Sequence, residues 1–131
     1  MTVFYGTSQR IGARADARRL ELGICETMMP EGIVRSVTPL DADRFLGYLR
    51  QHLATWTQHE AFVFVHRADV SFDEACLKTA RGWTERGLPG VAAMFNWPAE
   101  AEPARQIEEF VELMVSQSGA ANVHLVAHGR R

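Results

Sequence analysis

Two apolar runs, AFVFV at residues 61–65 and VAAMF at residues 91–95, set the tightest limit on what this chain can fold into. Neither alternates apolar with polar positions, as a strand with one wet face would. Short continuous runs rich in β-formers suit strands buried on both faces, which is the situation in a parallel sheet. Around them the apolar spacing changes to that of a helix. Ser71 and Glu74 stand at capping-box spacing. After them Phe72, Ala75, Cys76, Thr79, Ala80 and Trp83 share one side until Gly87 and Pro89 end the pattern. Pro103 opens a further helix, in which Ile107, Phe110, Val111 and Met114 face a core and Glu108, Glu109 and Glu112 face water. NVHLVA, from Asn122 to Ala127, is the last strand.

The first part of the chain is less regular. Residues 3–5 form a short β-prone start closed by Gly6, and the arginine-rich stretch 10–19 reads as a solvated loop. Residues 20–26 and 33–37 are strand candidates separated by Pro30, Glu31 and Gly32. Thr38 and Pro39 then open a helix, with proline where a first turn tolerates the loss of an N–H. Phe45, Leu46, Leu49 and Leu53 give that helix its apolar stripe. Strands alternating with helices of this length indicate right-handed βαβ units. The fold class is therefore α/β, a mostly parallel sheet with flanking helices.

Composition closes off other classes. With 131 residues, 47% of them hydrophobic and 23% charged, residues 1–131 make a single domain that can hide roughly two-thirds of its unfolded surface. A net charge of −2 and a pI near 6.2 argue against disorder and against a nucleic-acid binder. No apolar run is long enough to span a bilayer, and the N-terminal segment lacks the apolar core of a secretory signal. Cys25 and Cys76 form no CxxC pair, so two buried thiols in a reduced cytoplasm are expected.

Ligands of open parallel sheets bind at the carboxyl ends of the strands. Here those ends carry His66, Arg67, Ala68 and Asp69, then Asn96, Trp97 and Pro98, then His128, Gly129, Arg130 and Arg131. His124 and His128, four apart, could join His66 and Asp69 around a metal. No helical HxxxH and no carboxylate pair supports this, so neither a metal nor another cofactor is expected. His66 is expected to hold its loop through a backbone carbonyl. Arg67, Arg130 and Arg131 could line an anion pocket, but solvated arginines are the expectation. The stretch 6–12 lacks the spacing and the Lys-Ser/Thr of a P-loop. Arg10, Arg14, Arg18 and Arg19 read as solvated rather than phosphate-binding, and Trp83 and Trp97 as core residues.

Taken together, FVFVHRADVSFDEA, FNWPAE and NVHLVAHGRR resemble a bacterial family of serine α/β hydrolases of uncharacterised function. That family's segments read approximately FVHGYNxSFxEA, FxWPS and VHLxAHSMG. VFYGTSQR and LELGICETMMP are similar to its opening, FYGTDR followed by a YG…VxIP stretch. The likeness runs in order over nearly the whole chain. It implies the N-terminal half of an esterase- or lipase-type hydrolase fold, with strand order 1-2-4-3-5. It also assigns residues 66–69 to an oxyanion loop and residues 128–131 to a nucleophile elbow.

Both assigned positions depart from the family pattern. Gly129 stands where the family has its serine, and a residue without a side chain cannot form an acyl-enzyme. Arg131 replaces the elbow's closing glycine, and Arg67 replaces the glycine of the oxyanion loop. The family's acid and histidine lie downstream of the serine, and the 131 residues hold neither. The expectation is a truncated pseudoenzyme with no catalytic residue. His66 and Arg67 would be its oxyanion-loop remnant, and His128, Gly129 and Arg130 its elbow remnant. The strand Asn122 to Ala127 would then lie at an open edge, ready for self-association or a protein partner. Two alternatives follow: a small binding or regulatory module using that edge, or a hydrolase completed by another chain.

Overall fold

The computed structural model describes residues 1–7, 20–66, 70–96 and 104–127. Along them run β1 (Thr2–Thr7), β2 (Glu21–Met28), β3 (Ile33–Leu40), α1 (Ala42–Leu53), β4 (Glu60–Val65), α2 (Phe72–Arg86), β5 (Val91–Asn96), α3 (Ala104–Gln117) and β6 (Asn122–Ala127). The strands form one sheet in the order β3-β2-β1-β5-β4-β6. β1, β5, β4 and β6 are mutually parallel, and β2 is antiparallel to β1 and β3. The α/β class and the mostly parallel sheet agree with the sequence.

Why the two apolar runs lack alternation is visible in their surroundings. Ala61 and Val63 of β4 and Ala93 and Phe95 of β5 point to one face, where α1 and α3 lay Phe45, Leu46, Leu49, Phe110 and Met114 on them. Phe62 and Phe64 of β4 and Ala92 and Met94 of β5 point to the other face, against Phe72, Ala75, Cys76 and Ala80 of α2. Each large buried side chain contributes about 1.5–3 kcal/mol relative to exposure, so two covered faces dominate the stability of the fold. Close approach also fixes Gly6, because a Cβ there would lie 2.4 Å from the ring of Phe110.

The strand order departs from 1-2-4-3-5 on one side. The last three positions, β5-β4-β6, follow the expected pattern and put β6 at an edge. The N-terminal strands instead number three and run outward from the centre, with β1 innermost against β5. Burial gives the reason. Val3, Phe4, Tyr5 and Thr7 are all fully buried and need cover on both faces and both sides, whereas β3 is mostly exposed and suits an edge.

Three local expectations also change. Thr38 and Pro39 belong to β3, where an edge strand tolerates a missing N–H. The helix α1 begins after Asp41, whose side chain accepts the Arg44 N–H at 2.8 Å. Gly6 lies within β1 rather than closing it. Finally, Cys25 and Cys76 are buried as expected but are paired in a disulfide that joins β2 to α2. Spacing could not reveal this, because the two residues are 51 positions apart and meet only across the sheet–helix interface. Among the described residues, no helix is long and apolar enough to cross a membrane.

The second helix forms where the sequence places it. The Ser71 hydroxyl accepts the Glu74 N–H at 3.2 Å, and Gly87 closes α2 in the left-handed conformation at φ 59°.

Candidate functional site at the strand ends

Because β1, β4, β5 and β6 are parallel, their carboxyl ends meet at one rim of the sheet. Register sets the level: Thr7 stands opposite Asn96, and Val65 stands opposite both Phe95 and Ala127. His66 therefore follows β4 at the level of Asn96. Its N–H donates to the Phe95 carbonyl at 3.0 Å.

The polar side chains at this rim are turned inward. Thr7 Oγ1 donates to Asn96 Oδ1 at 3.3 Å, and Asn96 Nδ2 donates to the Val70 carbonyl at 3.0 Å. His66 Nε2 and Thr79 Oγ1 share a hydrogen bond of 2.7 Å. Thr7, His66, Thr79 and Asn96 are all buried, in a setting where an unmade hydrogen bond would cost about 1–3 kcal/mol. The frame thus fixes the end of β4, the start of α2 and the end of β5 relative to one another. The His66 ring thus ties the end of β4 to the middle of α2 through the Thr79 hydroxyl.

The frame is built to position backbone. It holds both ends of the stretch 67–69 that the resemblance assigns to an oxyanion loop, where preorganised N–H donors would act on developing negative charge. Arg67, Ala68 and Asp69 themselves lie outside the described residues. So do Trp97, Pro98, His128, Gly129, Arg130 and Arg131, as well as Arg10, Arg14, Arg18 and Arg19. Tyr5, buried on the α2 face, is held in its protonated form: burial pushes its phenol well above the ordinary range, and the Glu21 charge adds to this.

The histidines do not converge. Register places His124 beside Phe62, four residues back from His66, which is about 13 Å along a strand. His124 stacks on the Phe62 ring at 4.6 Å, and its Nε2 lies 2.7 Å from Glu60 Oε1. Among the described residues, no cluster of His, Cys, Asp and Glu could hold a metal ion. Trp83 is half-buried, edge-on to Trp56, and its indole N–H donates to the Gly90 carbonyl at 2.7 Å. Sequence reasoning named His66 and Asn96 at the strand ends but missed the roles of Thr7 and Thr79. Thr7 lies in the VFYGTSQR segment that resembles the family's opening, but nothing in that segment signals its bond to Asn96, which only the three-dimensional register reveals.

A parallel β5-β4-β6 core with α2 and α3 on opposite faces, and a polar rim at the strand ends, is an arrangement that α/β hydrolases share with other doubly wound α/β folds. Residues 42–130 match the model of a family described as alpha/beta hydrolase of unknown function (DUF900), and the chain belongs to that family. No curated protein and no solved structure matches it.

Proposed function

We propose that this chain is a hydrolase-like domain that does not cleave esters through a serine nucleophile and that acts by association at the β6 edge. One observation carries the first half of the reading. β6 ends at Ala127 opposite Val65, and the family resemblance assigns the nucleophile to residue 129, two positions further along the sequence. That position is glycine, which offers no Oγ to attack a carbonyl. Arg67, in place of a loop glycine, points the same way. The second half is supported by β6 itself, a strand without Asp, Glu, Lys or Arg that pairs with β4 alone among the described residues and leaves Leu125 57% exposed.

The test is an ester-hydrolysis assay on the purified chain with short-chain nitrophenyl esters, run beside labelling by a fluorophosphonate probe. No turnover above buffer and no labelled serine are expected. Serine-type turnover, or a specifically labelled serine, would overturn the catalytic half of the proposal.

A further inference from the structure

Two buried attachments pin α2 to the sheet within one helical turn. Cys76 is joined to Cys25 of β2 by the disulfide, and three residues on, Thr79 Oγ1 meets His66 Nε2 at 2.7 Å at the end of β4. Positions three apart share one helix face, and all four residues are buried. The rest of that face is mostly small. Ala75, Ala80 and Gly82 are buried beside the pins, and Phe72, in the first turn, is the large side chain among them. Small side chains interlock weakly and bury little apolar area, at about 0.8 kcal/mol per methylene, so the two pins set where α2 stands along the sheet.

The pins reach different parts of the molecule. Cys25 lies in the antiparallel part of the sheet, opposite Val3 and Val37, whereas His66 lies at the strand-end rim. The start of α2 reaches that rim too, because the carbonyl of Val70, just before the Ser71 cap, accepts Asn96 Nδ2 at 3.0 Å. Movement of α2 therefore acts on the polar frame at Thr79 and at Val70 together. Cleavage of the disulfide gives such movement a cause. It ends the covalent tether, replaces it with a non-bonded contact of about 3.5–4.0 Å, and adds two hydrogens. The surrounding cluster, with Val3, Tyr5, Phe72 and Met94 among its members, is closely packed and takes up added volume by shifting its elements.

We propose that the Cys25–Cys76 pair is a redox lock on the strand-end frame. Oxidised, it holds α2 where Thr79 meets His66. Reduced, it frees α2 to shift, and the frame at both ends of the stretch 67–69 loosens. A dithiol reductant supplies the two electrons. One of its thiolates attacks a cysteine sulfur, breaks the Cys25–Cys76 bond and leaves a mixed disulfide. Its second thiolate then displaces that cysteine, so the reductant departs as a cyclic disulfide and the two protons end on Cys25 and Cys76. Because both residues are fully buried, the exchange proceeds through opening of α2. The lock stands apart from the proposed function: neither ester turnover nor association at β6 bears on it.

The test compares the full 131-residue chain in its two redox forms. Dithiothreitol in mild urea cleaves the bond and the urea is dialysed away under reductant, while the oxidised chain passes through the same cycle without reductant. Thiol titration in denaturant should find none before reduction and two after it. Circular dichroism should show both forms folded. Amide exchange across residues 75–79 should be about tenfold faster in the reduced form, and the His66 imidazole nitrogen resonances should shift. Thr79→Val separates a lock from a local effect of the thiols. Its oxidised form should already resemble the reduced parent at His66, and reduction should move those resonances little further. A reduced chain that matches the oxidised one in exchange and at His66 would overturn the inference. So would a reduced chain that unfolds as a whole, which would make the disulfide a global staple. Two free thiols before reduction, or a Thr79→Val chain in which reduction shifts His66 as far as in the parent, would overturn it as well.

Discussion

The two edges of this sheet are built differently. β3 pairs with β2 through a register shift at Glu26/Thr27, carries Arg35 and Pro39, and is exposed or half-buried along its whole length. Charge, proline and irregular register each discourage another strand from pairing there. β6 has neither proline nor a register shift: NVHLVA holds no Asp, Glu, Lys or Arg, and among the described residues it pairs with β4 alone, in parallel. Its composition is that of a strand meant to be covered on both sides. By that standard β3 is the better guarded of the two strands.

The anchoring of the two sides differs as well. On the β3 side, the Cys25–Cys76 disulfide ties β2 covalently to α2. On the β6 side, α2 is held to the end of β4 by the hydrogen bond between Thr79 and His66. Breaking the first anchor should have the largest effect. Cys25→Ser or Cys76→Ser, or reduction of the native chain, is expected to lower stability by about 2–4 kcal/mol in urea unfolding. Hydrogen exchange in β2 and β3 should accelerate more than in β6, narrowing the contrast between the two sides. Equal acceleration across all strands would break it. Thr79→Val comes next. It removes the Thr79–His66 hydrogen bond from a buried frame and should cost about 1–3 kcal/mol in the same measurement. An unchanged unfolding midpoint would mean that the strand-end frame contributes no net stability.

How much of this was legible beforehand depended on whether the information was local. β4 and β5 could be read because a strand buried on both faces writes its whole environment into consecutive residues. α2 could be read because Ser71, Glu74 and Gly87 mark its ends within the helix's own segment. Pro39 misled for a physical reason: a first helical turn and an edge strand both tolerate a missing N–H, and proline alone cannot separate them. The inward position of β1 escaped because hairpin pairing does not encode which strand faces the parallel half. The disulfide and the bond between Thr7 and Asn96 escaped because they join residues 51 and 89 positions apart. The candidate site was thus located by its strand ends, while the hydrogen bonds that make it rigid became readable only in the fold.

The smallest effect on stability should give the sharpest contrast between the edges. Leu125 is more than half exposed, so Leu125→Lys removes little buried area and should cost under about 1 kcal/mol. It nevertheless gives β6 the kind of charge that guards β3. If β6 is the association edge, concentration-dependent light scattering of the unaltered chain should fall toward that of a monomer in this variant. The reciprocal change, Arg35→Val with Pro39→Val, strips two guards from β3 and restores a backbone donor at residue 39. It should raise association, because a second strand edge then becomes available. The two variants carry opposite predictions from one cause. Self-association that ignores Leu125→Lys would move the sticky surface elsewhere, and a β3 variant no more associative than the parent would mean that those guards are idle.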